Sequence, residues 1–256
     1  MSARVSWISL APVKATALHS VEEIELLESG PKGDRRFYLI GERGRLINDE
    51  DCSALQLVRA EYDEGADELT LRFGDGQVVT APVERGEEIE TTFHRRPRGA
   101  RLVRGPWAEA ISYLVGEEVR LVEPPHSAPD RGRGGAATLL GVASLEALAG
   151  TLDVDSIDGR RFRMNFGIDG TDAHAEDAWI GKRVRIGDAV VIPQGNVGRC
   201  VITKQNPNTG TIDLDTLKGL ARYRGDVETT EPLPFGVHAA VAEPGRVRVG
   251  DAVELV

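Results

Sequence analysis

The sequence predicts a β-rich fold of mixed α/β class, and three observations carry that expectation. Short runs of β-branched and aromatic residues recur through the first half, Gly- and Asp-containing turns separate them, and only brief segments show helical spacing. Residues 37–40 (Phe-Tyr-Leu-Ile), a turn at 41–44 holding Gly41 and Gly44, and residues 45–47 form a hairpin signal. Residues 55–58, 69–73 and 77–80 then read as strands of a meander, split by Asp63-Glu64-Gly65 and Gly74-Asp75-Gly76. Pro106 opens a segment in which Ala110, Ile111, Tyr113 and Leu114 recur at helical spacing, with Gly116 as its stop. Residues 124–135, rich in Pro, Gly, Arg and Ser, read as a loop or a boundary between subdomains. Beyond it, Ser144 is placed to cap a short helix ending near Gly150, and residues 161–166 alternate like a strand. Residues 184–190 and 247–253 share one apolar/polar rhythm around a Gly-Asp turn. They read as two similar hairpins of one barrel, or as shared turn chemistry alone.

With 256 residues, at about 150 per domain, the chain makes one to two domains with room for a sizeable core. Its 41% hydrophobic and 28% charged residues are ordinary globular usage, which excludes broad disorder and fibrous structure. Thirty-one Lys plus Arg stand against 41 Asp plus Glu, so a net charge of −10 disfavours nucleic acid as a partner. Every apolar stretch is broken well short of the roughly 20 residues of a membrane span, and the first 20 residues lack a clear signal-peptide cleavage region. A cytoplasmic protein is the expectation.

The two cysteines, Cys52 and Cys200, are far apart and form no Cys-x-x-Cys pair. This chain alone therefore cannot supply the roughly four thiolates of an ordinary iron–sulfur cluster, and any redox chemistry draws electrons from outside. Cys200 follows Gly198-Arg199, and a neighbouring guanidinium favours the thiolate that binds a soft metal or attacks sulfur. Packing as a small hydrophobe explains a lone cysteine equally well. Cys52 lies among Asp49, Glu50 and Asp51 and lacks a cationic neighbour. On a strand, Arg161, Arg163 and Asn165 would share a face able to hold an anion, or simply a solvated one. Arg131-Gly132-Arg133-Gly134-Gly135 suits phosphate but matches no dinucleotide fingerprint and reads equally as a linker. His19, His94, His126, His174 and His238 show no metal spacing, and no Gly-x-Ser-x-Gly elbow accompanies them.

The order of the pieces says more than any one of them. Pro12-Val13-Lys14, Asp34-Arg35-Arg36-Phe37, Phe162-Arg163-Met164-Asn165, Ala175-Glu176-Asp177-Ala178-Trp179, and Gly198-Arg199-Cys200 followed by Asn206-Pro207-Asn208-Thr209-Gly210 together resemble the MOSC family, named for the C-terminal domain of molybdenum cofactor sulfurase. The likeness spans nearly the whole chain and is nearest to members with an N-terminal β-barrel region. It implies a MOSC-type β-barrel over 121–256, a β-barrel-like N-terminal region over 1–120, short peripheral helices, and a pocket between the two.

The resemblance further implies a molybdenum cofactor, a pterin whose dithiolene sulfurs hold the metal, with Cys200 as the protein ligand. Arg163, Asn165 and Arg199 match positions that hold the pterin and its phosphate, and Lys14 and Arg36 match basic positions from the N-terminal region. Gly134 and Gly135 stand where relatives carry hydroxyl residues, and their backbone N–H groups, with Gly198, would take that role; Ala15 likewise replaces a serine. The implied activity is two-electron reduction of an N-hydroxylated small molecule such as an amidoxime or hydroxylamine, with Asp177 or Glu176 relaying protons. A separate ferredoxin, flavoprotein or cytochrome would donate the electrons. Two other classes stay open: a sulfur carrier using a Cys200 persulfide, and a non-catalytic cofactor-binding or storage protein.

Overall fold

The computed structural model describes residues 2–229 and 231–256. Strands dominate it, joined by three α-helices, Trp107–Val115, Val142–Leu152 and Thr216–Arg224, so the β-rich mixed class holds. The largest sheet has eight strands in the order Val253–Leu255, Val184–Ile186, Ala189–Gly198, Pro234–Glu243, Ala137–Gly141, Phe166–Asp169, Arg4–Leu10 and His19–Val21. Ala137–Gly141 and Phe166–Asp169 run parallel, which requires a crossover, and the helix Val142–Leu152 lies within it. The sheet curls until its ends approach. Val5 N donates to Asp251 O and Val253 N donates to Ala3 O, both at 2.9 Å, around a bridge from Arg4 to Ala252. Curling in this way hides backbone groups that an open edge would expose.

A five-stranded sheet runs in the order Glu84–Phe93, Arg96–Arg104, Arg120–Glu123, Tyr38–Ile40 and Leu46–Ile47. Its outer strands also meet, where Thr92 N donates to Gly44 O at 2.8 Å. The expected 37–47 hairpin is present, pairing Leu39 with Ile47. The meander is present too, as Arg59–Asp63, Glu68–Arg72 and Val78–Pro82. Its first strand was misplaced by the sequence: residues 55–58 belong to a 3-10 turn, Ser53–Leu57, and its cap. Leu55 and Val58, three apart and both buried, face inward from one turn as they could not from one strand.

Three more expectations are corrected. Residues 161–166 are not a strand. Asp158 accepts from Arg160 N at 2.9 Å and starts a 3-10 turn, Gly159–Phe162, and Arg163 ends it at φ 53°, so the strand begins only at Phe166. Ser144 does not cap its helix; Gly141 occupies the cap, and the buried Ser144 Oγ lies 3.1 Å from a Glu176 oxygen. The two echoing segments are not equivalent hairpins. Residues 184–190 do form one, whereas Asp251 accepts from Arg248 N at 2.7 Å and turns the chain between sheets. Gly245–Arg248 then pairs with Glu23–Leu27, and Val253–Leu255 pairs with Val184–Ile186.

The sheets also cross the 120/121 division. Arg4–Leu10 and His19–Val21 lie in the eight-stranded sheet, and Arg120–Glu123 lies in the five-stranded one. One apolar core, including Phe37, Leu39, Leu69, Leu71, Trp107 and Leu121, fills the N-terminal half. Others line the large sheet, and one, built on Leu148, Phe162, Met164, Leu220 and Phe235, packs helices Val142–Leu152 and Thr216–Arg224 beneath the cleft described next. Close approach fixes one glycine: a Cβ on Gly167 would meet the Trp7 ring at 2.1 Å.

Trp107 is fully buried and donates from Nε1 to Leu69 O at 2.9 Å, tying helix Trp107–Val115 to the meander. Trp107→Ala should cost about 3–5 kcal/mol in denaturant unfolding. Tyr113→Ala, on the same helix but 91% exposed, should change stability by less than about 0.5 kcal/mol.

Candidate functional site

A cleft of about 390 Å³ opens where the N-terminal segments meet the large sheet. Lys14, Arg35, Asn48, Asp49, Glu50 and His94 reach it from one side; Asp130, Arg131, Gly135, residues 161–165, residues 197–200 and His238 reach it from the other. Six lysine and arginine side chains line it against three carboxylates, in a protein of net charge −10. The local field is therefore opposite to that of the whole molecule.

Cys200 stands at the end of the strand Ala189–Gly198, in extended backbone before the turn Val201–Lys204. It is a free, solvent-exposed cysteine lining the cleft. The guanidinium of Arg199 was expected to lower its thiol, and the structure reverses that. Arg199 donates from Nε to Phe235 O and from Nη1 to Phe162 O, both at 2.9 Å, and so braces the floor of the cleft. Although Cys200 is exposed, partial desolvation of its thiol within the cleft, reinforced by the Glu50 and Asp49 carboxylates, pushes it up. Cys52 is a half-buried residue packed against the N-terminal core and does not line the cleft.

The left-handed turn at Arg163 directs its side chain back across the junction. Nη2 donates to Thr16 O at 2.8 Å, Nε stands 3.5 Å from Asp49, and Arg35 Nη2 donates to the Arg163 carbonyl at 3.0 Å. Burial, with Arg35 nearby, lowers the Arg163 guanidinium against the pull of Asp49. Burial also pushes Arg199 down to about 9, since its partners are neutral carbonyls. Asn165 is buried and committed to the scaffold: Nδ2 donates to Asp34 Oδ2 at 2.9 Å, and Oδ1 accepts from Thr138 Oγ1 at 2.9 Å. Lys14, 7% exposed, pairs with Asp130, which also lies 2.8 Å from His94 Nε2. Burial alone would raise the Asp130 carboxyl, but Lys14, His94 and Arg35 hold it well below the usual carboxylate range. Gly135 and Gly198 line the cleft, and the Gly134 carbonyl oxygen is 2.8 Å from His238 Nδ1.

Three expected site residues do not line the cleft, and one of them, Gly134, is next to Gly135, which does. Arg36 does not line the cleft; its Nη2 pairs with Glu123 at 2.5 Å and it borders a separate hollow. The left-handed turn at Arg35, φ 48°, sends Arg35 to the cleft and the next side chain to the other face. Asp177 does not line the cleft either. It pairs with Arg224 at 2.6 Å and accepts from Asn196 Nδ2 at 2.6 Å, while the adjacent Glu176 is buried against Gly141 N and Ser144 Oγ. This acidic pair therefore anchors the floor. Sequence reasoning missed Arg35, Glu50, His94 and His238 as lining residues. Arg35 sat beside the position chosen, whereas His94 lies on a distant hairpin with no local signal.

Residues 130–254 match the MOSC domain, and residues 2–104 match the MOSC N-terminal beta barrel domain. The chain belongs to the MOSC family. This member is 27% identical to the human protein named mitochondrial amidoxime-reducing component 1, over 98% of this chain and 82% of that one. The mouse protein of the same name is 28% identical over the same shares, and human component 2 is 37% identical over 36% of this chain and 29% of its own. Among solved structures, the YUAD protein from Bacillus subtilis has a TM-score of 0.46 at 12% identity, covering 100% of this chain and 96% of that one.

Two predictions test the electrostatics of this MOSC cleft and its floor. Glu50→Gln removes a carboxylate that raises the thiol, so the alkylation rate of Cys200 in a Cys52→Ala background should titrate at lower pH than in the parent. An unmoved titration would place the Glu50 charge outside its reach. On the floor, His174 packs against Tyr223 and Phe235 at ring separations of 5.6 and 5.8 Å, and both its ring nitrogens are buried without partners among the described residues. Burial, with Arg224 beside it, lowers its pKa from 6.5 to about 4. The unfolded chain thus takes up the proton first, and the stability this contributes is full above pH 6.5 and lost as pH falls toward 4. Urea unfolding should show a loss on the order of 2 kcal/mol across that window, flattened in His174→Phe.

Proposed function

We propose that this protein binds a molybdenum cofactor in the cleft and reduces N-hydroxylated small molecules with electrons from a separate donor protein. The observation that supports this best is one exposed thiol at a cleft whose lining reverses the charge of the molecule. The residues present fit such a group. A single sulfur suits a soft metal, and buried guanidinium groups suit an anionic tail. Arg161 lines the cleft, and its Nε is buried with no partner among the described residues.

Cys200 would ligate the metal through Sγ, and Lys14, Arg35, Arg161 and Arg163 would face the pterin phosphate. Arg199 and Asn165 would position that set, Arg199 through the Phe162 and Phe235 carbonyls and Asn165 through Asp34. The backbone N–H groups around Gly134, Gly135 and Gly198 would complete the cradle. When bound, the metal supplies the two-electron exchange that cleaves an N–O bond. The protein's own part begins with the thiol. Its raised pKa favours a protonated Sγ, and Glu50, the carboxylate beside it, would take up the proton that ligation displaces. The amidoxime-reducing name of the relatives at near-full coverage supports N-hydroxylated compounds as the substrate class.

The exposure of Cys200 also favours one second reading, a sulfur carrier whose persulfide must reach a partner. One experiment separates them. Protein from a host competent in cofactor synthesis should contain near-stoichiometric molybdenum and reduce benzamidoxime with an artificial donor. Cys200→Ala should lose both, and Cys52→Ala neither. Full metal in Cys200→Ala refutes the ligation, and a trapped Cys200 persulfide with little metal favours the carrier.

A further inference from the structure

The hairpin Glu84–Phe93 to Arg96–Arg104 separates its charges along its length. In the stem, Glu88 pairs with Arg101 at 2.9 Å and Glu87 with Arg104 at 2.8 Å, while Glu90, nearer the tip, is exposed and makes no ion pair among the described residues. At the tip, Arg95 and Arg96 are exposed and make no ion pair among the described residues. The tip is fastened to the cleft: His94 lines it, and His94 Nε2 lies 2.8 Å from Asp130 Oδ1, itself paired with Lys14. The two turn residues, His94 and Arg95, have φ of 46° and 65°. That two-residue turn favours Asn and Gly, and a side chain there costs about 1–2 kcal/mol per residue. The fold thus holds a strained pair at the rim, where strain is a pointer to function. Arg133, in the loop that follows Asp130, is likewise exposed and without an ion pair among the described residues.

We infer that Arg95 and Arg96, with Arg133, form the docking surface for an acidic electron-carrier protein, an inference that rests on the reductase reading above. On that reading electrons come from outside these 256 residues, whose two cysteines cannot build an ordinary iron–sulfur cluster. A cleft of about 390 Å³ cannot admit a protein, so the carrier stops at the mouth with its redox group facing in. An acidic carrier is repelled by a molecule of net charge −10 as a whole and attracted where unpaired cations reverse the sign locally, as at the mouth of the cleft. That contrast steers encounter and orientation more than it adds affinity, which suits the small, weak interfaces of electron transfer. The carrier supplies two electrons, singly or as a pair, and solvent supplies two protons. The N–O bond of a hydroxylamine breaks, RNHOH + 2e⁻ + 2H⁺ giving RNH₂ + H₂O, and the carrier is left oxidised by two equivalents.

The test compares the full-length protein with Arg95→Glu/Arg96→Glu, using a plant-type two-iron ferredoxin as probe and basic cytochrome c as the opposite-charge control. Ferredoxin should bind the parent at low salt and weaken as salt is added; the double variant should bind at least about tenfold more weakly, with little salt dependence. Cytochrome c should not prefer the parent. In turnover the KM for ferredoxin should rise by a similar factor, while reduction of benzamidoxime by reduced methyl viologen is unchanged. Equal ferredoxin affinity in parent and variant overturns the docking surface, as does binding of the parent to phosphatidylserine vesicles in place of ferredoxin. A metal-loaded parent inactive with viologen overturns the reductase reading instead, and the binding measurement still decides the docking surface.

Discussion

The cleft depends on a buried polar junction between the N-terminal segment and the large sheet. Asp34 accepts from Ala11 N at 2.8 Å and from Asn165 Nδ2 at 2.9 Å, and it pairs with Arg35. Arg35 donates to the carbonyl of Arg163, and Arg163 reaches back to the carbonyl of Thr16. Residues more than a hundred apart in sequence are thereby tied within one desolvated network. Such a network is costly if any member is left unpaired, so it specifies a single arrangement of the two halves. Every cation proposed to meet a ligand is held from this junction or from the segments beside it.

Two buried arginines at the cleft of an acidic protein need a reason to stay. Arg163 and Arg199 are both lowered by burial, Arg199 to about 9, and the nearest partners of Arg199 are carbonyls and the Met164 sulfur. Arg163 keeps Asp49 at 3.5 Å, but Arg199 has no carboxylate partner among the described residues; a buried cation of that kind is expensive, and replacing such groups by apolar ones is often neutral or better for stability. Keeping them is therefore a cost that folding alone does not explain. The floor beneath repeats the pattern in milder form, with the partnerless ring of His174 and the buried Glu176 carboxyl both shifted toward neutrality.

Much of this was legible in the sequence where local chemistry decides. The 37–47 hairpin, the strands at 69–73 and 77–80 and the helix ended by Gly116 follow from turn residues and periodicity, and each is present to within two residues at its ends. The ordered motifs also brought Lys14, Arg163, Asn165, Arg199 and Cys200 to one cleft. What failed was whatever depended on a single dihedral or on a distant partner. Arg163 in a left-handed turn broke an alternation that reads as strand, and Arg35 in another exchanged the roles of two neighbouring arginines. The partner of Arg199 could not be read from Gly198-Arg199-Cys200, because the carbonyls it braces, those of Phe162 and Phe235, come from other elements. For the same reason the thiol was expected to fall and instead rises.

These opposed shifts point in one direction. Cys200 is held protonated beside Glu50, which an arriving metal cation would reverse; Arg163 and Arg199 are held below their ordinary range, which an arriving anion would reverse. A simple cation relieves the first and aggravates the second, and a simple anion does the converse. A ligand with a thiophilic metal at one end and negative charge at the other would relieve both at once. The residues thus favour a metal-bearing anion over either component, and its binding energy would include the cost that the folded chain carries without it.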